Sequence, residues 1–253
     1  MIFFSRPERV AVEADAWKIQ TPCRLELLGP SGVGKSRLML KLVKDDSVWQ
    51  VRLPFVIYCA PTLEDRRDYL EELKHLTETT DKRLWCTEGL PPIGQIVNFS
   101  NGRPTLLLVD DVALMSDLSG LNDLVAMHGR HLDISAVFAL QSPFLPRRKD
   151  ADFVAFSRNM TGRFIFNQRG DQRLNTSLNM MLFPDLPQYL KTRLDWALDD
   201  EDCNYCYVDT HPHPKLPSRY MLFTRMFSNE RVRESPVFYD ALKYNKKETR
   251  RYS

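Results

Sequence analysis

The sequence carries the octapeptide GPSGVGKS at residues 29–36. It stands between a short apolar segment, RLELL at residues 24–28, and a helix-compatible run over residues 37–43. In this strand-loop-helix order the glycines let successive backbone N–H groups face phosphate oxygens, and the helix adds its positive N-terminal end. Every fixed position of G-x-x-x-x-G-K-[ST] is matched. We therefore predict a loop that binds the phosphates of ATP; the alternative is a chance glycine-rich turn.

The residue types of this loop have definite chemical roles. Lys35 is predicted to reach the β- and γ-phosphates, and the Ser36 hydroxyl to bind Mg²⁺. The predicted nucleotide-binding residues are Gly29, Pro30, Ser31, Gly32, Val33, Gly34, Lys35, Ser36 and Arg37. GTP is disfavoured, because the near match to the guanine-reading pattern Asn-Lys-x-Asp at residues 245–248 ends in Glu248.

A second motif, LLLVDD at residues 106–111, places two aspartates at the end of an apolar strand. Open α/β sheets bind ligands at the carboxyl ends of their strands, so Asp110 is predicted to hold Mg²⁺ through water. Asp111 is predicted to be the base that orients the attacking water; the alternative is an aspartate that caps the next helix. Gln141, which ends a later strand, is predicted to touch the γ-phosphate or this water, the alternative being an amide that caps a loop.

Alternation of apolar and helical segments predicts an α/β fold. Strands are predicted at residues 24–28, 54–60, 105–109, 134–140 and 162–167. Because helical segments separate them, the strands should pair in parallel, with helices on both faces of the sheet. Nearly continuous apolar strands fit a sheet that is buried on both sides.

The chain is predicted to form one core with appendages. After about Pro184, a helix at residues 186–198 and β segments at residues 205–209 and 220–227 predict a C-terminal hairpin that extends the sheet. The predicted parts are an N-terminal extension at residues 1–21, a P-loop ATPase core at 22–184, the C-terminal helix and β-hairpin at 185–242, and a mobile basic tail at 243–253.

Composition narrows the class of protein. Hydrophobic residues make up 43% of the 253 residues, which allows a large core, and the net charge is only +2, which argues against a strongly basic nucleic-acid coat. DNA contacts would come from local clusters such as residues 147–149 and 246–251, whose alternative is a solvated surface. No signal-peptide stretch and no run of roughly 18 apolar residues occurs, so no membrane span is expected.

Cysteine usage favours a reducing compartment. The five cysteines are odd in number and widely spaced, unlike a disulfide scaffold. Cys203, Cys206, His211 and His213 could supply four zinc ligands. We predict that they bind no zinc, because the spacing is short and a strand at residues 205–209 would send neighbouring side chains to alternate faces.

In this order the segments resemble the viral genome-packaging ATPases of the poxvirus A32-like group, within the FtsK/HerA superfamily of DNA pumps. Among these, the ATPases of polinton-like and adintovirus-like elements are the most similar. The resemblance extends over residues 22–227. Its stretches are LLGPSGVGKS, EGLP at 88–91, LLLVDDV, GRH at 129–131 before ISAVFALQ, RNM at 158–160 before GRFIFNQ, and YVDTHP at 207–212.

The resemblance implies a P-loop NTPase of the additional-strand type with sheet order 5-1-4-3-2. It implies a homo-oligomeric ring that moves double-stranded DNA into a preformed capsid, with the capsid or portal vertex as a further partner. It also implies a viral protein that acts inside the infected host cell, in the cytoplasm or nucleus, or in association with the virion. Two departures weaken individual roles: Asp111 replaces the commoner Glu, and Leu132-Asp133 follows His131 where polar or basic residues are usual.

In a ring of this kind an arginine finger can act on the neighbour's nucleotide. Arg130, at the turn before the fourth strand, is the predicted finger, with Arg158 and Arg163 as rivals. The alternative for Arg130 is a solvent-facing side chain that supports a helix C-terminus. Two other functions stay open for the whole chain: an AAA-like ATPase that remodels protein, and a structural subunit that binds nucleotide and hydrolyses it slowly.

Overall fold

The structure is a computed structural model that divides into two compact units. One unit is Lys18–Phe166, and the other joins Met1–Trp17 to Asn167–Ser253. The predicted parts, with a core at residues 22–184, stay a prediction. The residues that the structure describes are 10–11, 18–115, 120–121, 124, 131–141, 156, 158–166, 176–178, 180, 182, 204–210, 222–224, 226–227 and 237–238.

Strands and helices alternate along much of the described chain. The strands are β1 Val10–Ala11, β2 Arg24–Leu28, β3 Phe55–Ala60, β4 Arg83–Glu88, β5 Thr105–Val109, β6 Ile134–Leu140, β7 Gly162–Phe166, β8 Tyr205–Asp209, β9 Leu222–Thr224 and β10 Val237–Phe238. The helices are α1 Lys35–Lys44, α2 Arg67–Thr79 and α3 Ile93–Ser100, with 3-10 turns at Asp46–Val48, Glu64–Arg66 and Val112–Leu114. In the part of the chain that is described, no helix has the length and apolar character needed to span a membrane.

A parallel sheet forms the centre of the unit Lys18–Phe166. Its strand order is β7-β2-β6-β5-β3-β4, and the strands pair in parallel throughout. Numbered as the five predicted strands, this order is 5-1-4-3-2, which confirms the α/β fold class and the strand order. Strands β2, β3, β5, β6 and β7 are buried along their whole length.

Two elements of this unit were not predicted. Strand β4 lies at the sheet edge beside β3, and its residues are only half-buried or exposed, so it lacks the continuous apolar run of the inner strands. Helix α3, with the sequence IGQIVNFS, contains a glycine and three β-branched residues, which are weak helix formers. Only Ile96 and Ser100 of α3 are buried. Tertiary packing decides the conformation of both segments.

Buried polar contacts hold the C-terminal end of α1. The Trp49 indole Nε1 donates to Leu42 O at 2.8 Å. The Lys82 ammonium donates to Val43 O at 2.5 Å and to Asp46 Oδ1 at 2.6 Å, and its side chain is fully buried. Burial lowers the pKa of Lys82, and the hydrogen bond to Asp46 offsets part of this decrease. A cation at the helix C-terminus satisfies carbonyl groups that the helix leaves unpaired, so α1 keeps a fixed position.

The other unit contains antiparallel strands. Strands β8 and β9 pair with Tyr207 opposite Phe223, so the predicted C-terminal hairpin is present. Strand β9 pairs with β10, and β10 pairs with β1. Residues 10–11 of the predicted N-terminal extension thus pair with a strand near the C-terminus. The predicted helix at residues 186–198 and the predicted basic tail at residues 243–253 lie outside the described residues.

A buried ion pair joins β2 to β7. Glu26 and Arg163 are register partners, and Arg163 Nε donates to Glu26 Oε2 at 2.6 Å. Both residues are buried, with 0% and 4% of their surface exposed. Burial raises the pKa of Glu26, and the guanidinium offsets this only in part. Because the charge of Arg163 is paired inside the sheet, the expectation that it rivals Arg130 as a finger is wrong.

Replacing one member of this pair should destabilise the unit. Arg163→Met is expected to lower the free energy of unfolding by about 3–5 kcal/mol, because Glu26 loses its buried partner. The double variant Glu26→Leu/Arg163→Met should recover most of the loss, since no buried charge is left unpaired. Urea unfolding followed by circular dichroism measures both. Equal losses in the single and double variants would contradict the assignment of the stability to charge pairing.

Candidate nucleotide-binding site

Several positions of the loop that follows β2 have a backbone conformation or a close neighbour that only glycine fits. Gly32 has φ 79° and Gly34 has φ 100°, values that side chains with a Cβ atom rarely adopt. At Gly29 a Cβ atom would lie 2.8 Å from Phe166 Cβ, so the end of β7 presses against the loop. Helix α1 then begins, with Leu38 N donating to Gly34 O at 2.9 Å. This is the loop that the octapeptide predicted.

Lys35 lies inside the loop. Its Nζ donates to Gly29 O and to Pro30 O, both at 2.7 Å, and only 7% of the residue is exposed. Burial lowers the pKa of Lys35, an effect that the charges of Asp111 and Asp110 partly offset. The ammonium is thus held at the first residues of the loop, with two carboxylates close enough to influence its protonation.

Asp110 receives hydrogen bonds on both carboxylate oxygens. Its Oδ2 accepts from Ser36 Oγ at 3.2 Å and from the Tyr58 hydroxyl at 3.1 Å. Its Oδ1 accepts from Asp111 N at 3.1 Å. The residue is 2% exposed, and its backbone N–H donates to Cys59 O, which continues the pairing of β5 with β3. The carboxylate is therefore fixed in orientation beside the Ser36 hydroxyl.

The Ser36 hydroxyl and the Asp110 carboxylate, predicted to hold Mg²⁺, have donor types that suit this ion. Both are hard oxygen donors, which this ion prefers. Among the described residues, no group of three or more His, Cys, Asp or Glu side chains could hold a metal ion. Mg²⁺ commonly completes its coordination with water and substrate phosphates. The donor set thus fits a metal that arrives with a nucleotide.

Asp111 adopts a left-handed backbone conformation, with φ 48° and ψ 49°. Asparagine and aspartate tolerate the left-handed conformation better than other residues with a side chain. Backbone strain from residues in sparsely populated conformations is often found at functional sites. The Asp111 carboxylate accepts from Arg66 Nη2 through its Oδ2 atom, and 19% of the side chain is exposed. The carboxylate of the predicted base, Asp111, is therefore partly exposed and paired with the Arg66 guanidinium.

Arg66 is a site residue that the sequence did not reveal. It ends the 3-10 turn that follows β3, and its Nη1 lies 3.6 Å from Asp110 Oδ2. Burial alone would lower the pKa of Arg66, but Asp110, Tyr58 and Asp111 more than offset this and raise it above its usual value. A signal could have come from its place after a strand end at the ligand-binding edge of the sheet.

Tyr58 is a second residue that was not predicted. It lies within β3, fully buried, and donates to Asp110 across the sheet. Burial first, and then the charge of Asp110, raises the pKa of Tyr58 far above its ordinary value. The hydroxyl consequently stays protonated and remains a donor to Asp110. A tyrosine near the end of an otherwise apolar buried strand was the available signal.

One open cavity of about 240 Å³ is bordered by Lys35, Ser36, Arg66, Asp110 and Asp111. Its described lining residues are Ser31, Gly32, Gly34, Lys35, Ser36, Arg37, Arg66, Asp110 and Asp111. Gly29, Pro30 and Val33, also predicted to bind nucleotide, are not among them. The Arg37 guanidinium bonds both carboxylate oxygens of Glu72 on α2, at 2.8 and 2.7 Å. Arg37 therefore borders the cavity with its charge already paired.

Other predicted site residues lie elsewhere or outside the described chain. Gln141 follows β6, between the strands that carry the two motifs, but it is exposed and does not line the cavity. Glu88, the candidate base next after Asp111, accepts from Leu63 N at 3.0 Å and does not line the cavity either. Arg158 is exposed. Arg130 is outside the described residues, and so are Cys203, His211 and His213, whereas Cys206 is buried in β8.

Comparison with known proteins finds similarity to solved structures. No family model matches the chain, and no curated protein matches it significantly. Among solved structures, the chain is similar to the genome packaging NTPase B204 from Sulfolobus turreted icosahedral virus 2, in complex with ATP-gammaS. The TM-score is 0.41 and the sequence identity 11%, over 74% of this chain and 92% of that chain.

Proposed function

We propose that the chain is an ATP-hydrolysing DNA translocase that packages double-stranded viral DNA into a preformed capsid. The observation that carries the ATPase part is the convergence of both motifs on one cavity. There the Ser36 hydroxyl lies 3.2 Å from Asp110 Oδ2, with Lys35 and Asp111 beside them. The DNA part rests on the resemblance of residues 22–227 to viral packaging ATPases.

Binding of the phosphates follows from the charge and backbone of the loop. The ammonium of Lys35 and the N-terminal end of α1 attract the negative phosphate chain, and loop N–H groups supply donors. The hydrogen bonds of Lys35 to Gly29 O and Pro30 O would be exchanged for stronger ones to phosphate oxygens, because those oxygens carry negative charge and the carbonyl oxygens do not. Bound Mg²⁺ would neutralise charge on the phosphate oxygens.

Hydrolysis needs a group that takes a proton from water, and Asp111 is the carboxylate available for it. Its side chain lines the cavity and is partly exposed, so water can approach it. Asp110, in contrast, is buried and accepts hydrogen bonds on both oxygens, which suits it to holding a metal. The two neighbouring aspartates thus have environments suited to different tasks.

The proposal for the assembly is a homo-oligomeric ring that encloses double-stranded DNA and acts at a capsid or portal vertex in the infected host cell. With a net charge of only +2, contact with DNA phosphates would come from local basic clusters. Residues 147–149 and 246–251 are the sequence clusters of this kind. No membrane partner is proposed.

Duplex DNA should stimulate ATP hydrolysis by the purified protein severalfold, because a translocase couples the two. The steady-state rate, measured with and without duplex DNA alongside native mass, tests this. Lys35→Ala should be inactive in both conditions, whereas Lys44→Ala, an exposed lysine of the same helix, should behave as wild type. Stimulation by unfolded protein instead of DNA would favour a remodelling ATPase. A slow rate that responds to neither would favour a structural subunit.

Asp111→Asn should bind ATP and Mg²⁺ but turn over about 10²–10⁴-fold more slowly, because an amide cannot take a proton from water. Binding should survive, since one negative charge near the phosphates is removed. Asp81→Asn is the matched control: it is an exposed aspartate with φ 52°, close to the φ of 48° at Asp111. Wild-type turnover in Asp111→Asn would move the base elsewhere, with Glu88 the next to test.

A finger at Arg130 acting on the neighbour's nucleotide predicts complementation. Arg130→Ala and Lys35→Ala should each be inactive alone. With random mixing and independent interfaces, about a quarter of the wild-type rate should return, because that share of neighbouring pairs combines an intact Lys35 with an intact Arg130. The mixture is assayed for ATP hydrolysis after native mass spectrometry has shown mixed rings. Mixed rings without activity would remove Arg130 from the site.

A further inference from the structure

The cavity is electrically balanced before any nucleotide enters. Lys35 and Arg66 supply two positive charges, and Asp110 and Asp111 supply two negative charges. Arg37 also lines the cavity, but its guanidinium is paired with Glu72. A bound triphosphate adds several negative charges to the cavity. Lys35 and Arg66 must then interact with the phosphates as well as with the carboxylates.

Arg66 engages the carboxylate oxygens that the proposed reaction needs. Its Nη2 donates to Asp111 Oδ2, one of the two carboxylate oxygens that could take the proton from water. Its Nη1 lies 3.6 Å from Asp110 Oδ2, the oxygen that also accepts from Ser36. The guanidinium therefore supplies positive charge at the place where the metal donors Ser36 and Asp110 meet.

The backbone around Arg66 is held while its side chain borders open space. Arg66 N donates to Leu63 O at 3.1 Å, and Leu63 N donates to Glu88 Oε1 at 3.0 Å. The side chain is 31% exposed and lines the same cavity as the phosphate-binding loop. A long side chain from a fixed turn can exchange one partner for another within its reach. The flat guanidinium fork binds phosphate as well as carboxylate, commonly by two parallel hydrogen bonds.

We infer that Arg66 is a switch within each subunit that makes metal binding and base activity depend on the nucleotide. Without nucleotide it holds Asp110 and Asp111, so that Asp111 is occupied and a divalent cation is repelled. When the triphosphate enters, the guanidinium exchanges Asp111 for a phosphate oxygen and releases both carboxylates. This inference rests on the proposed nucleotide site. It assigns Arg66 a positioning role distinct from that of a finger from a neighbouring subunit.

The test compares Arg66→Gln with wild type by two binding measurements that need no turnover. Mn²⁺ alone, followed by electron paramagnetic resonance without nucleotide, should bind about tenfold or more tightly to the variant, because a repelling charge is lost. A non-hydrolysable ATP analogue should bind about tenfold more weakly, because a charge-assisted contact to phosphate is lost. ADP should lose less affinity than the triphosphate analogue.

Two further variants separate the switch from a structural role. Arg67→Gln is the matched control, since Arg67 is 72% exposed and pairs with Glu64 at 3.2 Å outside the cavity. It should leave both affinities unchanged. Arg66→Lys keeps the charge without the fork, so Mn²⁺ should stay weak while the analogue loses part of its affinity. This variant also keeps the inference testable if Arg66→Gln fails to fold.

The outcomes distinguish this inference from the function on which it rests. If the wild-type protein binds no ATP analogue, the proposed ATPase fails and the switch fails with it. If wild type binds the analogue but Arg66→Gln matches it for both ligands, the switch alone is overturned. Weaker binding of both Mn²⁺ and the analogue in the folded Arg66→Gln protein would show loss of site geometry and would also overturn the switch. Opposite changes in the two affinities support it.

Discussion

The hydrogen bond between Ser36 and Asp110 depends on the register of three parallel strands. Ser36 follows β2, Asp110 follows β5, and β6 lies between these strands, with Leu28 opposite Leu140 and Val109 opposite Phe138. Parallel pairing brings the carboxyl ends of the strands to one edge, where the loops after them can share a site. A shift of register by one residue would reverse the side chains of a strand and carry Asp110 away from the loop.

Packing around α1 extends this constraint to the phosphate-binding loop. The helix begins at Lys35, directly after the loop, and Trp49 and Lys82 bind carbonyl groups near its other end. On the sheet side, Phe166 lies so close to Gly29 that no Cβ atom fits between them. The loop is thus held by a strand end on one side and a fixed helix on the other. A preformed loop lowers the entropy lost when phosphate binds.

How much of this could be predicted depended on whether a contact was encoded in a local pattern. The strands with continuous apolar runs were predicted with nearly correct bounds, and two motifs identified Ser36 and Asp110 although 74 residues separate them. The contact of Arg66 with Asp111 spans 45 residues and belongs to no such pattern. Strand β4 was not predicted, because an edge strand is only partly buried and its sequence lacks a continuous apolar run. Gln141 was correctly predicted to follow the end of its strand. Whether its side chain lines the cavity depends on the loop that follows.

The charge arrangement explains why a site with two aspartates and no nucleotide can be stable. Asp110 is almost fully buried, and an unpaired carboxylate there would be costly. Arg66 meets this need in the free protein, helped by donors from Ser36 and Tyr58. When the phosphates attract Arg66, the Asp110 carboxylate again lacks a positive partner. A divalent cation can then take the place of Arg66 beside Asp110. Under the proposed function, the metal and the triphosphate would therefore enter together, because each removes the electrostatic obstacle to the other.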